Sequence, residues 1–153
     1  MYAVVRIRGL KNVRHDIKKT MELLKLDRKN HCVLVEEKKE TKGMLEKTKD
    51  HVGFGKIKAE TLSKLIKKRG RLIGGKRIKE ENLKEHGLKT FEEAASAVIE
   101  EKTTLKKLGI KTVFRLNSPK GGFGKAGIKK QKTQKGPLGY HPEGIDSLIL
   151  EMM

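Results

Sequence analysis

Tryptophan is absent and aromatic residues make up only 4% of the 153 positions. The row of exposed stacking side chains that a dedicated single-strand binder displays is therefore not available. One cysteine, Cys32, excludes an internal disulfide and a multi-cysteine zinc cluster within the chain. Its neighbours Val33, Leu34 and Val35 mark it as a small core residue. The histidines at 15, 31, 51, 86 and 141 have neither HxxxH nor HExxH spacing, so no metal or other cofactor is expected. No apolar run approaches the roughly 20 residues of a spanning helix and no signal peptide is visible. This points to a cytosolic protein without a membrane partner. Acidic side chains are missing from one long stretch: none occurs between Glu101 and Glu143.

What is present is positive charge. Lys and Arg total 37 against 19 Asp and Glu, a net charge of +18 with a pI near 10.0, which is the electrostatic footprint of a nucleic-acid binder. From Phe114 to Gly144 the charge is set among glycines, with Lys120, Lys125, Lys129, Lys130, Lys132 and Lys135 as cations. Such a segment cannot neutralise itself, and it has few apolar groups to repay its ordering cost. It is expected to be mobile when free and ordered against phosphates. A flexible linker is the competing reading, opposed by Phe123 and Tyr140 inside the loop.

The chain in order suggests an α+β protein. Tyr2 to Arg8 alternates as a strand, and a helix is expected from Val13 to Leu26 with Asn12 as N-cap and Ile17, Met21 and Leu24 on its buried stripe. Strand-like His31 to Glu36, a short helix from Thr41 and a strand from His51 to Ile57 complete a β-α-β-α-β module. Crossovers between parallel neighbours, with both helices on one face, are the expected connections. The other face must be covered by something, and the remaining chain supplies the candidates, beginning with a helical module over 58–110. It comprises Lys58 to Arg69 stopped by Gly70, a weak helix from Lys79 to His86, and a helix capped by Thr90 and Glu93 with Phe91, Ala94, Ala95, Val98 and Ile99 inward. The remainder, 111–153, reads as a returning strand from Lys111 to Leu116, the basic loop, and a last helix that docks Ile145, Leu148, Ile149 and Met152 on the first module.

Gly70 to Arg77, GRLIGGKR, has the GxxxxGK spacing of a phosphate-binding loop, but Arg77 stands where the magnesium-ligating hydroxyl belongs and a helix rather than a strand leads in. The same residues suit an RNA backbone, with glycines exposing N–H groups and Arg69, Arg71, Lys76 and Arg77 supplying charge. Ser63, Ser96, Ser118 and Ser147 lie in no nucleophile-elbow context and the acidic pairs read as solvated charges. No enzyme and no small-molecule substrate is expected. Arg115 joins the arginines able to bind phosphates bidentately.

Four ordered blocks, AVVRIRG, DHVGFGKIKAETLSKLIKKRG, GGKRI and FRLNSPKGGF, together resemble the large-subunit ribosomal protein L-thirty family in its long archaeal form, related to the eukaryotic L-seven protein. Bacterial members resemble only the part up to about Ile57 and are ferredoxin-like. The resemblance implies a structural constituent of the large ribosomal subunit, cytoplasmic, that binds and stabilises 23S-type rRNA, with 5S rRNA as a further candidate partner and other large-subunit proteins as neighbours. By matching motif positions it implies rRNA contacts from Arg6, Arg8, Gly9, Lys56, Lys68, Arg69, Gly70, Arg71, Gly74, Gly75, Lys76, Arg77, Asn117, Ser118, Pro119, Lys120, Gly121, Gly122 and Phe123. The alternative is a free-standing regulatory RNA- or DNA-binding protein.

Overall fold

The computed structural model describes residues 1–84, 87–88, 90–123 and 126–153. Five strands, β1 (Tyr2–Arg6), β2 (His31–Val35), β3 (Val52–Lys56), β4 (Val113–Arg115) and β5 (Gly139–His141), form one sheet in the order β4-β2-β1-β3-β5. Its centre is the ferredoxin-like β-α-β-α-β unit, with α1 (His15–Leu23) and α2 (Lys39–Thr48) between the first three strands.

The expected parallel neighbours do not occur there. β1 lies between β2 and β3 and is antiparallel to both, so α2 carries the chain across β1 rather than to an adjacent strand. The reason is burial: β1 is buried along its whole length, which suits the centre of the sheet. The one parallel pair is β3 with β5, in register Gly53↔Gly139 to Gly55↔His141.

Alternation along β1 feeds two cores. Tyr2 and Val4 join Val33, Val52 and Phe54 against Met21, Leu24, Leu26 and Leu45 on the side of α1 and α2. Ala3, Val5 and Ile7 join Cys32 and Phe114 on the other side. That second side is covered by α3 (Ala59–Arg69), α5 (Phe91–Ile99) and α6 (Asp146–Met152), which bury Leu62, Leu65, Ala94, Val98, Leu148 and Ile149. Cys32 is fully buried, and burial pushes its thiol up to about 12, leaving it an inert core side chain.

Several boundaries differ from the sequence reading. α1 begins at His15 after Arg14, which makes no side-chain cap; Asn12 sits at φ 56° instead of capping. The helix stops at Leu23 because Lys25 turns left-handed at φ 58°, although Leu26 remains in the core. The weak helix is Glu80–Lys84 (α4), and the end expected at His86 lies outside the described residues. Thr90 caps α5 as expected, its Oγ1 accepting from the Glu93 N–H at 3.2 Å. Within the basic stretch, a 3-10 turn at Lys132–Gln134 and β5 replace part of what reads as loop.

Candidate nucleic-acid interface

A gathering of cations without carboxylate side-chain partners among the described residues is built where α3 ends. Lys67, Lys68 and Arg69 occupy its last turn, the negative end of the helix dipole. Gly70 then leaves the helix in an extended conformation, with its Cα packed so tightly on the Ile66 carbonyl and the Ile78 side chain that no Cβ fits. Its role is to turn the chain.

The turn starts a small hairpin. Arg71 bridges Arg77, the Leu72 N–H donates to the Lys76 carbonyl at 2.9 Å, and Gly74 and Gly75 take φ 111° and 87° at the tip. GRLIGGKR is therefore a β-turn structure projecting between helices, with no strand-to-helix cradle for a nucleotide. Its inner edge is tied to the segment before β4: the Lys111 N–H donates to the Arg71 carbonyl at 2.8 Å and the Ile73 N–H to that of Gly109 at 3.1 Å.

This stitching brings Arg69, Arg71, Gly75, Lys111, Val113 and Arg115 around one depression of about 490 Å³. Four of those six residues are cationic and none is acidic. Among the described residues, no carboxylate pairs with Arg71, Lys111 or Arg115. Arg69 donates through Nη2 to the Met153 carbonyl oxygen at 2.7 Å, while its buried Nε has no partner among the described residues. The positive field extends inward. His31, the cross-strand neighbour of Arg115, is held below the ordinary imidazole range first by burial and then by that guanidinium.

A second basic surface wraps the end of α6. The Asn117 and Lys120 N–H groups donate to the carbonyls of Met152 and Glu151 at 2.9 and 3.0 Å, satisfying acceptors at the helix end. Asn117, Ser118, Lys120, Gly121 and Gly122 are exposed there, Pro119 is buried beneath them, and Phe123 packs partly on the core. Gly122, Phe123, Lys132 and Lys135 share another depression, with Glu151 also on its wall. Because Met153 accepts from Arg69 while Met152 and Glu151 accept from the 117–120 turn, the two basic surfaces meet at the end of α6.

Other positions implied by the motifs lie elsewhere. Arg6 is 4% exposed and donates to the carbonyls of Leu26, at 2.8 Å, and Arg8, at 3.1 Å. It is an internal brace, and burial lowers its pKa from the ordinary guanidinium value. Its donors are spent on main-chain carbonyls inside the fold rather than turned to solvent, unlike the exposed position the motif match implies. Arg8 donates to the Asp50 carbonyl at 3.1 Å, Gly9 lies against the Lys29 stem, and Lys56 pairs with Glu37 at 3.4 Å. Lys68, Lys76, Arg77, Lys129 and Lys130 are exposed, and Lys125 lies outside the described residues.

Lys111 was not among the expected contacts. Its signal was nonetheless readable, since Lys111, Val113 and Arg115 alternate along a strand and so face one way. No group of His, Cys, Asp and Glu among the described residues could hold a metal ion. No helix among them is long and apolar enough to cross a membrane.

Residues 2–52 match the family model described as ribosomal protein L30p/L7e. The whole chain is similar to proteins named large ribosomal subunit protein uL30. It is 47% identical over 150 residues to that of Nanoarchaeum equitans, covering 98% of this chain and 97% of the relative. It is 46% identical over 152 residues to that of Methanococcus maripaludis and 47% over 152 to that of Methanococcus vannielii, covering 99% of both chains in each case. With such identity running from the ferredoxin-like sheet through the hairpin and the basic stretch, the chain belongs to the uL30 family of ribosomal proteins.

Proposed function

We propose that this protein is a structural constituent of the large ribosomal subunit in the cytoplasm, binding and stabilising 23S-type rRNA through its phosphates. The observation that carries the reading is the depression lined by Arg69, Arg71, Lys111 and Arg115 and by no acidic side chain. Guanidinium groups there present paired donors in a fixed fork, which matches phosphate oxygens, and the hairpin glycines let the backbone approach. Lys68, Lys76 and Arg77 extend this surface on one side. Asn117, Ser118, Lys120, Gly121 and Gly122, with Lys129, Lys130, Lys132 and Lys135, extend it on the other. The role requires no catalytic group, and none is assigned. Double-helical rRNA read through its backbone fits the scarcity of aromatic side chains, and 5S rRNA belongs to the same chemical class of partner.

Co-sedimentation and salt titration test this. The protein should stay at one copy per large subunit through a high-salt wash; departure in the wash would favour a free-standing regulator. Binding to isolated large-subunit rRNA should weaken linearly on a log–log salt plot, each neutralised phosphate contributing about 0.7 to 0.9 to the slope. Arg71→Ala, Lys111→Ala and Arg115→Ala combined should lower that slope by about 2 to 3 on this scale. An unchanged slope would remove the depression from the interface.

A further inference from the structure

Tyr140 is the exposed aromatic ring that phosphate binding leaves without a use. It stands on β5 at the sheet edge and is 45% exposed, although Gly139 and His141 on either side are buried. Its ring is fixed from within by Tyr2, edge-on at 6.5 Å and 87°, and by Phe54, tilted at 5.7 Å. Tyr2 is itself fixed, donating its hydroxyl to Glu37 Oε1 at 2.8 Å. A side chain held by two buried rings loses little further entropy on meeting a ligand.

Beside the ring, between the end of α2 and the 3-10 turn, is a slot of about 240 Å³. Its wall includes Glu46, Lys49, Gln131, Lys132, Tyr140 and Pro142. Gln131 is oriented by donating its amide to Asp50 Oδ1 at 3.1 Å, which leaves its own amide oxygen as an acceptor. Lys49 is tied to Glu46 at 3.1 Å, whereas Lys132 has no carboxylate partner among the described residues. An aromatic face, an oriented amide and a free ammonium around a space too small for a duplex are the elements that hold one unpaired nucleotide. Lys132 lines this slot and also the depression beside Gly122 and Phe123, so a strand leaving the slot runs directly onto the basic surface.

We infer that the slot beside Tyr140 takes one unstacked base of the bound RNA, with Lys132 on its phosphate. The inference rests on the RNA-binding reading above and adds a single-stranded element to it. The absence of tryptophan and the presence of only two tyrosines make it directly observable. In a Tyr2→Phe background, tyrosine emission reports Tyr140 alone. A short oligoadenylate should quench that emission, whereas a fully paired RNA duplex of the same length should not, and ultraviolet crosslinking should attach the oligoadenylate at Tyr140. Tyr140→Phe should bind like the parent. Tyr140→Leu, which still covers Tyr2 and Phe54, should bind oligoadenylate about five- to a hundredfold more weakly while duplex affinity stays unchanged. Equal losses on both RNAs, binding without quenching, or a crosslink from Tyr140 to a protein in intact subunits would each overturn the slot. If duplex binding remains salt-dependent in those cases, the phosphate reading survives alone. If no variant binds either RNA, both readings fall.

Discussion

A Cβ atom on Gly53 would stand 2.5 Å from the carbonyl oxygen of Pro137. The third strand of the central unit thus accepts the returning basic segment because that residue has no side chain. Gly55 repeats the relationship one pleat along, where a Cβ would meet the His141 carbonyl at 2.9 Å and the Ile145 nitrogen at 3.1 Å. Two glycines in VGFGK therefore seat β5 and the start of α6.

Gly53→Ala and Gly55→Ala should each destabilise the fold by about 1 to 3 kcal/mol, because the atoms they strike are backbone and cannot swing away. Gly43→Ala, in the middle of α2 with open space around it, should instead stabilise by about 0.5 to 1 kcal/mol. Denaturant midpoints measure all three. Tolerance of alanine at Gly53 would mean that β5 does not press on β3.

Stability should fall as the pH drops below about 6.5. His141 is buried with Nε2 3.0 Å from the Pro137 carbonyl, and burial holds its imidazole below the ordinary value; His31 and His51 are shifted the same way, also chiefly by burial. The unfolded chain takes up these protons first, so the histidine contribution is complete above the ordinary value and is lost on acidification toward the lower folded values. His141→Gln retains an amide donor for Pro137 and removes one titration. Urea midpoints across pH 7 to 5 should have a shallower slope in this variant; an unchanged slope would exclude His141 as a contributor.

Limited trypsin digestion of the free protein should separate two parts of the basic segment. Lys120 and Lys129 are exposed and should be cut early. Lys135 should resist, because the Gly136 N–H donates to the Gln131 carbonyl at 2.9 Å, the Lys132 N–H to that of Leu138 at 2.8 Å, and Pro137 and Leu138 are buried. α6 should remain with the core. Mass analysis of the fragments decides the matter, and early cleavage after Lys135 would contradict the seating of β5.

Replacing Lys129, Lys130 and Lys132 together with Ala should lower the salt slope of rRNA binding by about 0.7 to 0.9 for each phosphate lost. Thermal stability should hardly change, since none of the three forms an ion pair among the described residues. A slope equal to that of the parent would leave these lysines as solvated charges.

The sequence by itself determined the local elements and the family. The alternating YAVVR, the short continuous apolar run HCVLV, the Thr90 cap and the spacing of Leu62, Leu65 and Ile66 are short-range signals, and each produced its strand or helix. The net charge of +18 needed no coordinates. Four ordered motif blocks carried the family. Strand order was beyond that reach, because the alternation in β1 serves two cores equally well whether its neighbours run parallel or antiparallel. β5 was missed for a related reason: GYH is three residues long and gains its ladder only from the exposed edge of β3.

Only the tertiary structure decided which cations face solvent together. Arg6 and Arg115 look alike in sequence, each on a strand beside apolar neighbours. Packing buries the first against main-chain carbonyls and places the second beside Arg71 and Lys111, which are 40 or more residues apart along the chain in the case of Arg71 and Arg115 and meet through the hairpin's hydrogen bonds to the segment before β4. Charge composition follows from covalent structure, but the concentration of charge at a site depends on which segments the core brings into contact.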